Sequence, residues 1–153
     1  MLEVEQETPD QEDVSVLLRK ADERAASLYP AESRHGPPLS ALMDPQVRFF
    51  VARLDGKAVG CGGFVAGHDA QAELKRIFVN PEVRGRGVGA RIVETIEQAA
   101  RCDGVRLMQL ETGIKSVEAI GLYRRLGYRE RGPFGAYGPD PLSVFMEKRL
   151  EPA

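Results

Sequence analysis

Residues 84–90 of this chain read Arg84-Gly85-Arg86-Gly87-Val88-Gly89-Ala90, three alternating glycines set between an apolar run and an amphipathic segment. Few folds accept such a junction. Glycine reaches backbone conformations closed to other residues and lets a ligand approach the main chain. A helix starting there has unpaired N–H groups and about half a positive charge at its tip. The junction therefore predicts a strand, a turn built to hold phosphate, and a helix. A second apolar run follows at 105–112, so the helix is a crossover and the strands at 73–79 and 105–112 are expected to run parallel.

The period of the apolar residues assigns the other elements. Residues 2–7 alternate as a short strand. Thr8, Pro9 and Gln11 read as N-cap, first helical residue and capping-box partner. Val14, Leu17, Leu18, Ala21, Ala25 and Leu28 then recur at helical spacing and predict one buried face. A polar loop fills 29–38, and 39–43 is a candidate short helix. Residues 47–54 and 57–65 form a hairpin about Asp55-Gly56. In the helix after the glycines, Val88, Ile92, Ile96 and Ala100 mark the core face, while Arg91, Glu94, Glu97 and Arg101 are expected to face water. A helix over 117–126 stops at Gly127, and strands at 128–132 and 143–150 flank a Gly/Pro-rich loop. The fold class is α+β: a mixed central sheet, antiparallel in its N-terminal part, with one parallel crossover pair and about four helices.

Composition excludes several partners. A length of 153 residues suits one domain, 1–153. A net charge of −2 argues against general nucleic-acid binding. No apolar run is long enough for a membrane span, and no leader is visible. Cys61 and Cys102 form neither a disulfide framework nor a metal knuckle, which suits a reduced, cytoplasmic protein without a metal.

Three phosphate-loop chemistries compete. A Walker loop needs Lys-Ser/Thr where this chain has Val88-Gly89-Ala90. A dinucleotide turn fits Gly85-x-Gly87-x-x-Ala90, with Glu111 about twenty residues on. That turn normally follows its strand at once, however, whereas residues 80–84 intervene here and a hairpin region comes first. The third option rests on two motifs together. Arg84-Gly85-Arg86-Gly87-Val88-Gly89 resembles the R/Q-x-x-G-x-G/A acyl-CoA loop of the GNAT superfamily of N-acetyltransferases. Ala119-Ile120-Gly121-Leu122-Tyr123, running on to Gly127-Tyr128, is similar to that family's second signature. Element order agrees from Leu2 to Leu150.

The resemblance implies a transferase that uses acetyl-CoA as co-substrate. It implies that backbone N–H groups of Gly85, Arg86, Gly87, Val88, Gly89 and Ala90 hold the pyrophosphate with Arg84 and Arg86. Phe78 and Val79 would offer backbone groups to the pantetheine arm and an oxyanion donor. Tyr123 takes the place of the general acid at the departing sulfur. Glu73 stands where one branch of the family has its base, and Glu111 is a second candidate beside a water relay. Strand alternation sets Glu73 on the face of Lys75, Ile77 and Val79. Ser116 stands where asparagine often contacts the CoA arm, a departure from the family's pattern.

The acceptor side falls to the loops at 29–38 and 134–141. The first carries Tyr29, Glu32, Ser33, Arg34 and His35; the second carries Tyr137 and Asp140. The expected acceptor is a small-molecule amine, with a protein amine or a non-catalytic acyl-CoA-binding module as alternatives. The terminal strands offer surface for a homodimer.

Overall fold

A computed structural model describes residues 1–153. Strand β1 (Leu2–Gln6) leads to helix α1 (Glu12–Leu28), a 3-10 turn at Ala31–Ser33 and the single-turn helix α2 (Leu39–Leu42). Strands β2 (Val47–Leu54), β3 (Lys57–Ala66) and β4 (Gln71–Val79) precede helix α3 (Val88–Cys102). Strand β5 (Leu107–Gly113), helix α4 (Val117–Arg125), and strands β6 (Arg129–Arg131) and β7 (Ser143–Arg149) complete the chain. The strands form one sheet in the order β1-β2-β3-β4-β5-β7-β6, with β4–β5 as its parallel pair. No helix is long and apolar enough to cross a membrane.

Local chemistry explains most boundaries. Asp55 and Gly56 both have positive φ, 51° and 86°, the twist a two-residue hairpin needs between β2 and β3. Asn80 ends β4: its N–H donates to Val59 O, and its side chain accepts from Glu82 N–H. The start of α1 differs from expectation. Thr8 Oγ1 accepts from Asp10 N–H, and Gln11 Nε2 donates to Glu7 Oε1 and Thr8 O. These local bonds hold 8–11 in a turn, so the helix begins at Glu12 with Gln11 as an N-cap that gives no side-chain bond.

Two apolar layers cover the sheet. On one face Phe64, Leu74, Ile92, Ile96, Met108 and Met146 pack under α3; on the other, Val14, Leu17, Leu42, Phe49 and Val51 pack under α1 and α2. The second half of the α1 stripe has another use: Ala21, Ala25 and Leu28 are only partly buried and line a cleft. Glu97 also departs from expectation. It is buried rather than facing water, accepting from Tyr128 Oη at 2.7 Å and Lys148 Nζ at 2.9 Å. Helical spacing put it one position outside the apolar stripe; partners 31 and 51 residues away draw it inward.

Strand β4 carries a bulge. Cys61 pairs with Phe78 and Gly63 with Lys75, so Arg76 and Ile77 together oppose Gly62. Arg76 takes a left-handed φ of 57°. Gly62 leaves room there for the Ile77 side chain, which a Cβ would push aside. The extra residue reverses strand parity. Ile77 and Val79 face α3, whereas Glu73 and Lys75 face the opposite side, correcting the alternation expected from sequence.

Candidate active site

The bulge and the parallel pair open the sheet. Strands β4 and β5 pair only at Gln71–Leu107, Ala72–Met108 and Glu73–Gln109. Beyond that point β4 stays with β3, and β5 stays with β7 as far as Gly113–Ser143. The wedge between them is a cleft of about 1420 Å³, walled by Leu74 and Arg76–Val79 on one side and Leu110–Gly113 on the other.

One end of the cleft is the glycine loop. Gly85 and Gly87 have φ of 81° and 75°, and Gly87 caps α3 without any side-chain bond. The N–H groups of residues 85–90 donate to no protein atom, so the loop and helix tip present unsatisfied donors to the cleft. This arrangement fits a pyrophosphate. Gly89 allows close approach of α4, since a Cβ there would come within 2.9 Å of Leu122. Arg84 Nη1 is 2.9 Å from Glu118 Oε2, and both side chains are well exposed. Such a pair is worth about 0–1 kcal/mol and yields readily to a phosphate.

At mid-cleft sits Tyr123, delivered by α4 and buried edge-on against Tyr128 at 5.7 Å. Burial, with the nearby Glu111 carboxylate adding to it, holds its phenol well above the ordinary range for tyrosine. Glu111 faces the same space from β5. Its carboxyl is pushed up chiefly by burial and partly by the charge of Glu73, against a 2.8 Å hydrogen bond from Ser143 Oγ that favours the ionised form.

At the other end the 29–38 loop lines the cleft, and the two loops named from sequence meet in space. His35 Nε2 lies 3.7 Å from Asp140 Oδ2, and its ring stands edge-on to Tyr137 at 5.5 Å. Tyr137 also packs against Phe134 and Phe145, and its hydroxyl donates to Glu73 Oε2 at 2.5 Å. Lys75 Nζ reaches the same oxygen at 3.0 Å. Asp140 is held below the usual carboxylate range by the Leu142 N–H first, then by Ser33 and His35.

The structure thus gathers Phe78, Val79, Arg84, Gly85, Gly87, Val88, Gly89, Ala90, Ser116, Tyr123 and Glu111 around one cleft. Arg86 is exposed and off the cleft wall, and Glu73 is engaged outside it with Tyr137 and Lys75. Ser116 Oγ lies 3.0 Å from Tyr29 Oη, which also accepts from Lys115 N–H at 2.9 Å. Tyr29 fits because residue 113 is glycine; any Cβ there would overlap the phenol. This strut from the end of α1 to the β5–α4 turn was not legible in the sequence, where Tyr29 was assigned to the acceptor-side loop. Arg76 was missed as well, because nothing in a strand-like run marks a bulge.

A mixed sheet parted at its parallel pair, with an anion-cradling helix tip at one end of the gap, defines an acyl-CoA-dependent transferase. Residues 12–128 match the Acetyltransferase (GNAT) family, and the chain belongs to it as an N-acetyltransferase. An IAA acetyltransferase of Azospirillum brasilense is 46% identical over 148 residues, spanning 96% of this chain and 97% of that one. A crystal structure from Klebsiella pneumoniae, provisionally described as an acyl-CoA N-acyltransferase, is 34% identical with a TM-score of 0.84 over 99% of both chains. The PaiA N-acetyltransferase of Thermoplasma acidophilum, solved in complex with coenzyme A, shares the fold (TM-score 0.77, 16% identity, 98% and 99% coverage).

Proposed function

We propose that the protein, acting as a single 1–153 domain, transfers an acetyl group from acetyl-CoA to the primary amine of a small molecule, by direct attack in a ternary complex. The observation that carries this is the continuity of the cleft. One space runs from the free N–H groups of the glycine loop, past Tyr123, to the His35 loop. Such a space supports a direct meeting of donor and acceptor, without a covalent enzyme intermediate. The acceptor end, walled by α1 and the 29–38 loop, suits a small amine better than a protein tail. Free cysteines and dependence on acetyl-CoA suit the cytoplasm.

In this reading residues 85–90 and Arg84 hold the pyrophosphate, and the main chain at Phe78 and Val79 runs beside the pantetheine arm. The splayed edge of β4 offers N–H groups to the carbonyl oxygen as it gains charge. Tyr123 donates a hydrogen bond to the departing sulfur. Glu111 takes the amine proton, directly or through water, because it faces the cleft, and burial raises its proton affinity above that of a free carboxylate. Glu73 is the weaker candidate, since its carboxylate already accepts from Tyr137 and Lys75.

The test is thiol release from acetyl-CoA across a panel of small amines, alongside a CoA thermal shift. CoA is expected to raise Tm, and Gly87→Val, strained at φ 75°, to lose most of that shift. Thiol release dependent on a peptide amine alone would replace the small-molecule acceptor; no stabilisation by CoA would remove the reading altogether.

Glu111 also makes a pH prediction. Its folded-state carboxyl lies above the unfolded value of 4.5, so the buried charge begins to cost stability as pH rises past 4.5 and costs most above the raised pKa. Glu111→Gln keeps an acceptor for Ser143 and removes the charge. The variant is expected to gain Tm over the parent at pH 8 and to lose that gain near pH 4. Activity should move the other way, falling about 100-fold at neutral pH. A Tm difference that is the same at both pH values would contradict the burial argument.

A further inference from the structure

Arg76 is held in an arrangement that stability alone does not favour. It has a left-handed φ of 57° inside a strand, and its Nε is buried with no hydrogen-bond partner. Its side chain is only 11% exposed and forms part of the cleft wall. Nη2 donates to Leu18 O, and Nη1 meets Asp22 Oδ1 at 2.6 Å. Asp22 is itself 65% exposed, a partner that can swing into water at little cost. The loop backbone closes over the guanidinium, where a Cβ at Gly36 would come within 2.8 Å of Nη1. Arg24 and Arg34 line the cleft as well.

The geometry points to an acceptor amine that carries an anionic group, a carboxylate or phosphonate, bound by the Arg76 guanidinium in the place the Asp22 carboxylate now holds. The inference deepens the acetyl-transfer reading and rests on it. The β4 bulge then does two jobs. It parts β4 from β5, and it turns Arg76 toward the acceptor end. A planar guanidinium binds such an anion through two parallel N–H bonds, and burial between α1 and the 29–38 loop strengthens them. Asp22 keeps the arginine paired until the acceptor arrives.

The test pairs acceptors differing only in that charge: α-, β- and ω-amino acids and aminoalkylphosphonates, each against its neutral amide or ester. Thiol release gives kcat and KM, and calorimetry of the same pairs into CoA-saturated enzyme gives binding without turnover. The parent is expected to prefer the anionic member of at least one pair by roughly tenfold or more. Arg76→Gln should lose that preference through KM, with the CoA thermal shift intact. Asp22→Asn should lower KM for the anionic acceptor and leave the neutral one unchanged, an arm that stands even where Arg76→Gln folds poorly. Equal binding of both members in every pair, or a preference that survives Arg76→Gln, overturns the proposal. A purely structural Arg76 would lower Tm and leave the preference alone. Anion-selective binding without thiol release for any pair would count against transfer and still uphold the anion site.

Discussion

Tyr123→Phe is expected to lower kcat about 100-fold while changing KM for acetyl-CoA by no more than about twofold. The hydroxyl is the one polar atom on α4 that meets the cleft from a buried position beside Glu111. Burial raises its pKa above the ordinary phenol value near 10, farther from a thiol near 8.5. Complete proton transfer to the departing sulfur would therefore be uphill, and the role proposed for the hydroxyl is that of a hydrogen-bond donor to growing negative charge. This places the expected loss at the low end of general-acid effects. It also predicts that Tyr123→Phe leaves the acidic limb of the pH–rate profile in place, because that limb belongs to the amine's base. Phenylalanine keeps the edge-on packing with Tyr128, so Tm should barely move. Unchanged kcat would remove the role; an equal loss in CoA affinity would recast Tyr123 as a binding residue.

Glu97→Ala is expected to cost about 3 kcal/mol of stability, roughly 10 °C in Tm. Lys148, at 25% exposure, can turn to solvent when its partner is gone. Tyr128 cannot; its hydroxyl would stay buried without an acceptor, the larger part of the loss. Glu97→Gln retains an acceptor and should cost much less. Adding Tyr128→Phe to Glu97→Ala removes the orphaned hydroxyl and should recover about 1–2 kcal/mol, measured as coupling in a double-mutant cycle. Strictly additive losses would mean that the two groups do not depend on each other. The effect reaches function too, because Tyr128 packs against Tyr123, and a loosened Tyr128 should lower kcat severalfold without touching the cleft walls.

The same residues mark how far sequence reasoning reaches. The hairpin at Asp55-Gly56, the glycine loop, the parallel crossover and the helix ending at Gly127 were legible because each depends on residues within a few positions of one another. Tyr123 was legible only through a motif, and its burial came with the tertiary fold. The start of α1 was misplaced because Thr8, Gln11 and Glu7 satisfy one another in a turn that competes with capping. Glu97 was misplaced because the groups that keep it inside come from β7 and from the residue preceding β6.

Sequence alone determined the order of elements, the glycine junction at the start of α3 and the pairing of that junction with the Tyr123 motif. These are matters of backbone freedom and apolar period, and both are local properties. Tertiary structure decided which carboxylate lines the cleft. One extra residue at Arg76 reverses the alternation of β4, so Ile77 and Val79 no longer share a face with Glu73, whose carboxylate meets Tyr137 and Lys75 while Glu111 lines the cleft. A bulge is a property of two strands in register, not of either strand alone. It becomes visible only when Gly62 lies opposite Arg76 and Ile77.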